Sequence, residues 1–68
     1  MTSQDNDYIV NRGHDGYYVK QQVGTERRLI EGPIESKDAA CDRARLHAAE
    51  SGSGAWFERP TGTLESLD

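Results

Sequence analysis

The chain has 68 residues with twelve acidic and eight basic side chains, a net charge of −4 and one cysteine; that is one small domain, with no room for a second. A lone thiol cannot close an internal disulfide, which argues against a secreted disulfide scaffold and for a reducing cytoplasm. No apolar run approaches the ~18 residues of a membrane span, and the start "MTSQDNDYIV" lacks the basic end and apolar stretch of a signal peptide.

Three Ile, three Val, four Leu and one Phe make about a sixth of the chain. The expected core is therefore thin, enlarged by three Tyr and one Trp, and pairing with a copy or a partner would add stability.

Residues 1–7 are polar and aperiodic and read as an N-terminal arm. "YIVN" is a short strand. "GYYVKQQV" alternates, with Tyr17, Val19 and Val23 on one face and Tyr18, Lys20 and Gln22 on the other, and "RRLI" is a third run. Gly13 to Gly16 joins the first two and "GTE" the second and third, giving a three-stranded antiparallel meander. Gly32 and Pro33 then break the strand pattern.

Ser36 is the expected N-cap of a helix over 37–50, with Asp38 in its first turn and Gly52 as its stop. Ala40, Cys41, Ala44 and Ala48 fall on one side, with His47 at the margin, so the helix can lie close to a sheet. Ala39, Leu46 and Ala49 fall on the opposite side. There Leu46 is exposed unless the tail, with Leu64 and Leu67, or another chain covers it. "AWFER" is a fourth strand ended by Pro60. The expected fold class is α+β in the order β-β-β-α-β, with a domain over 8–60 and a tail over 61–68. A right-handed crossover places the last strand beside and parallel to the first, in sheet order 3-2-1-4.

Tyr8 to Val10, the run Asp15-Gly16-Tyr17-Tyr18-Val19, the acidic, Ala-rich helix from Lys37 to Glu50, and Gly62 together span most of the chain. In this pattern it resembles the small bacterial domain-of-unknown-function family numbered twenty-one eighty-eight. It departs from that family at Asn11-Arg12, where the family tends to have a proline, and at Tyr17-Tyr18, where it tends to have a tryptophan. The family carries no settled activity, so the resemblance implies a fold and no catalytic residue.

His14 and Asp15 have the chemistry of an acid-base pair, but Asp-Gly is above all a turn signal, and adjacent side chains in a tight turn diverge. His14, Cys41 and His47 lack metal-ligand spacing, and no nucleophile elbow or phosphate-binding loop is present. Neither a cofactor nor an enzymatic activity is expected. Cys41 reads as a small buried residue whose thiol Asp38 and Asp42 would hold in its neutral form.

A contact function is what remains. Its leading form is a cytoplasmic protein-interaction or accessory module, pairing with a second copy or another protein through a sheet edge or the Ala39, Leu46, Ala49 side of the helix. The alternative is single-stranded nucleic-acid binding through Tyr18, Lys20, Arg28 and Trp56, although the acidic balance opposes phosphate contact. A third form is an acidic mimic of nucleic acid that binds a basic protein.

Overall fold

Chain reversal follows the glycines. In the computed structural model, which describes residues 6–67, β1 (Tyr8–Arg12) and β2 (Tyr17–Val23) pair antiparallel with Val10 opposite Val19, and β3 (Glu26–Ile34) completes the meander. Helix α1 (Lys37–Ser51) carries the chain back, and β4 (Ala55–Glu58) lies parallel to β1 with Phe57 opposite Val10. The expected α+β class and the order 3-2-1-4 are both found. One further strand, β5 (Leu64–Ser66), pairs antiparallel with β4 and extends the order to β3-β2-β1-β4-β5.

Three boundaries differ from expectation. Residues 1–5 of the arm and Asp68 of the tail lie outside the described residues. Asn6 and Asp7, read as arm, are tied to β2, since the Asn6 amide donates to the Gln22 carbonyl and the Gln22 amide to that of Asp7. The tail after Pro60 is not free, because it turns at Gly62 into β5 and places Leu67 against the core. Gly32-Pro33 does not end β3 either. A register irregularity shifts its pairing with β2, and the strand runs on to Ile34 through a cis peptide bond.

Alternation sends Tyr8, Val10, Val19, Ala55 and Phe57 toward the helix, where they meet Ala40, Ala44 and Ala48. Tyr17, Ile30, Ile34 and Leu67 pack around that cluster, and Tyr17 lies 6.5 Å from Phe57 between ring centroids. Val10 and Val19 are fully buried, worth about 1.5–3 kcal/mol each. The helix starts where Ser36 Oγ accepts the Ala39 amide at 3.0 Å and stops at Gly52, whose φ of 70° is the left-handed geometry of a C-cap. Its buried side is the expected Ala40, Cys41, Ala44, Ala48 stripe. At its margin His47 stacks on Tyr8 with centroids 5.4 Å apart.

Candidate interaction surface

The helix covers one face of the sheet. By alternation, the other carries Ile9 and Asn11 of β1, Tyr18, Lys20 and Gln22 of β2, Trp56 and Glu58 of β4, and Leu29 of β3. One row crosses the sheet as Leu29, Lys20, Ile9, Trp56 and Ser66. Leu29 is 58% exposed and Ile9 only 1%. On the same face Arg27 of β3 reaches across the sheet to Glu58 of β4, Nη1 to Oε2 at 2.8 Å, so the bridge spans the two strands between them. Gln22 Oε1 also accepts from Arg27 Nε, at 3.2 Å. This side of the sheet therefore combines one buried apolar residue, Ile9, a charged bridge spanning the central strands, and a protruding Leu29.

Both aromatic side chains expected here are anchored by carboxylates. The Tyr18 hydroxyl donates to Asp15 Oδ1, a bond that raises the phenol's pKa because it is made to the protonated form. The Tyr18 ring lies against Gly13 and Gly32, where an added Cβ would fall 2.2 Å and 2.5 Å from ring carbons. The Trp56 indole N–H donates to Asp7 Oδ2 at 2.8 Å, and the Gly54 amide donates to Asp7 Oδ1 at 3.0 Å. Asp7 is 7% exposed.

Tyr18, Lys20 and Trp56 thus share a face as expected, and Arg28 does not. It pairs with Gln21, on the helix side, while Leu29 takes the place beside Lys20. The reason is a loop one residue shorter than "GTE". Val23 pairs with Glu26 across Gly24-Thr25, and a positive φ (62°) at Gly24 alone is the pattern of a type II′ turn. A one-residue change of register exchanges the two faces of a strand. Leu29 and Arg27 were missed on that account, and a two-residue hairpin reading of "VGTE" was the signal that would have found them.

Ala39, Leu46 and Ala49 are exposed on the outer side of α1, remote from the uncovered sheet face. Leu46 is 45% exposed. Leu67 goes to the core and Leu64 pairs opposite Glu58, so neither acts as its cover. Cys41 is buried under the helix. Burial is the main reason its thiol pKa is raised, with Asp38 and Asp42 contributing less. Between helix and β3, Arg43 makes a two-pronged bond to Glu31 at 2.6 and 2.8 Å, which holds the Glu31 carboxyl below its ordinary range.

The architecture defines a two-layer α+β domain, one helix on a mixed five-stranded sheet. Comparison with known protein families, curated proteins and solved structures gave no match. Among the described residues no helix is long and apolar enough to cross a membrane.

Proposed function

We propose that this domain is a non-catalytic protein-interaction module that uses the uncovered face of its sheet, working in a reducing cytoplasm as a member of the small family it resembles. The observation that carries this reading is Leu29. It stands 58% exposed on a face whose neighbouring positions are Lys20, Tyr18 and Trp56, an apolar residue bordered by aromatic and charged groups. The outer side of the helix is the lesser candidate, because Leu46 shares it with the small side chains of Ala39 and Ala49 and is less exposed, at 45%, than Leu29.

Two features weigh against nucleic acid. The polar tips of Tyr18 and Trp56 are occupied by Asp15 and Asp7, carboxylates that repel a phosphate backbone, and Arg28 is on the other face. An acidic-mimic role is weakened because Glu31, Asp42, Glu58 and Glu65 are each paired with an arginine of the same chain.

Affinity capture from the native host with the full chain, and with Leu29→Glu and Leu46→Glu, tests the reading. Loss of bound protein in Leu29→Glu alone is the expected result. Loss in Leu46→Glu alone would move the contact to the helix. Fluorescence anisotropy with short oligonucleotides at low salt is expected to show no binding.

A further inference from the structure

The parallel strands β1 and β4 part company at their carboxyl ends: after β1 the chain turns toward β2, and after β4 it turns the other way, toward β5. In open α/β sheets ligands bind where neighbouring parallel strands diverge; here the two connections are hairpins, and they too leave a crevice between them. Here the crevice measures about 450 Å³, with Asn11, Arg12 and His14 on one side and Glu58, Arg59 and Gly62 on the other.

Its charge runs against that of the whole chain, which is −4. Two arginines, Arg12 and Arg59, line it with a single carboxylate, Glu58, which is already engaged by Arg27 at 2.8 Å, and His14 adds an imidazole. Arg59 is bonded to Glu65 through Nε and Nη2, both directed to Oε2. No ion pair or side-chain hydrogen bond of Arg12 or His14 occurs among the described residues. Among the lining residues, Asn11 has its Oδ1 buried without a hydrogen-bond partner among the described residues. Because that oxygen is the buried end of the carboxamide, the NH2 group is its accessible end and can donate to an oxyanion without turning over.

We propose that this crevice binds a small phosphate-bearing anion, inorganic phosphate or a phosphate monoester. Arg12 supplies a planar pair of donors suited to two phosphate oxygens, and His14 and Asn11 complete the donor set. A phosphate suits the site better than a carboxylate because its additional oxygens can use the guanidinium of Arg12, which has no ion pair among the described residues, together with the imidazole of His14 and the carboxamide of Asn11, all of which line the same crevice. The site lies at the strand ends and is independent of the contact proposed through Leu29.

The test is a two-dimensional amide NMR titration of the full chain, first with inorganic phosphate and then with a nucleoside monophosphate, with ionic strength held constant by chloride. Shifts confined to residues 11–14 and 58–62, saturating with a Kd of about 1–10 mM, are expected for a few charge-assisted bonds at an open site. Arg12→Gln and His14→Gln should each weaken binding by about fivefold or more while keeping the native spectrum. Leu29→Glu should leave it unchanged, so failure here and failure of the protein-contact reading are separable. Equal affinity for both ligands assigns recognition to the phosphate, and tighter binding of the monophosphate assigns part of it to the ester. Non-saturating shifts, shifts spread over Lys20 and Arg28, or indifference to both substitutions would overturn the proposal.

Discussion

Asp7 and Trp56 join the beginning of β1 to β4: the indole N–H donates to one carboxylate oxygen at 2.8 Å while the Gly54 amide holds the other at 3.0 Å. Removing the acceptor strands two donors in a partly buried setting. Asp7→Ala is expected to cost about 1–3 kcal/mol, a fall in Tm of about 5–20 °C for a domain of this size. Asp7→Asn retains one acceptor and should lose less. Thermal unfolding followed by circular dichroism checks both.

The alanine stripe under the helix makes a paired prediction. Ala44 is fully buried against the sheet and Ala49 is exposed on the far side of the same helix. Ala44→Leu should destabilise by about 1–3 kcal/mol through overpacking, whereas Ala49→Leu should stay within about 0.5 kcal/mol of the parent. Urea denaturation separates them. Equal effects would mean that the helix does not lie as close to the sheet as described.

Gly32 sits at φ 136°, and a Cβ there would meet the Tyr18 ring at 2.5 Å and the Tyr17 carbonyl oxygen at 3.0 Å. Gly32→Ala is expected to destabilise by at least about 1–3 kcal/mol from backbone conformation alone, with the ring clash added. Placing Tyr18→Ala in the same chain should recover the clash component and leave the backbone component, a non-additivity that a double-mutant cycle in denaturant measures.

Acid sensitivity follows from Glu31 and Glu65. Hydrogen bonds from Arg43 and Arg59 hold their carboxyls below the ordinary value of 4.5 in the folded protein. The unfolded chain therefore binds more protons in this window, and stability rises with pH. Their contribution is complete above about pH 4.5 and is lost as pH falls through the lowered folded values. Arg43→Gln should flatten the acid limb of a plot of Tm against pH by lowering Tm above about pH 4.5 while leaving the acid end little changed, and the drop should be small because the pair is largely solvated.

Cys41 should be slow to react. Burial raises its thiol pKa, so at neutral pH both the thiolate fraction and access to reagent are small. Labelling by a thiol-specific disulfide reagent is expected to be fast only when denaturant is added. Rapid labelling of the native protein would contradict the packing of this helix.

The periodic parts of this fold were readable from residues alone. Alternation in "YYVKQQV" located Tyr17 and Val19 on the core side, and the spacing of Ala40, Cys41, Ala44 and Ala48 gave the buried side of the helix. What was not readable depends on partners distant in sequence. Asp7 looks like any acidic residue in a polar leader until Gly54 and Trp56 are beside it. β5 is three residues long, too short for a period to show, and Leu67 is placed by a hydrogen bond from its amide to the Ala55 carbonyl. The face of Arg28 turned on one loop residue, a local ambiguity with a consequence along the whole strand. Leu46 was correctly expected to face outward, and the described residues leave it 45% exposed.

The parallel pairing of β1 with β4 also has a meaning in time. A chain leaving the ribosome can form the β1-β2-β3 meander from neighbouring segments, but β1 keeps one unpaired edge until Ala55–Glu58 have been made. During that interval Asp7 has neither of its β4-side donors, and Val10 and Val19 have no helix above them. A nascent chain that forms the meander first therefore presents its most apolar surface and a bare strand edge together. That vulnerability ends only when the crossover helix brings the last third of the chain back to the first strand.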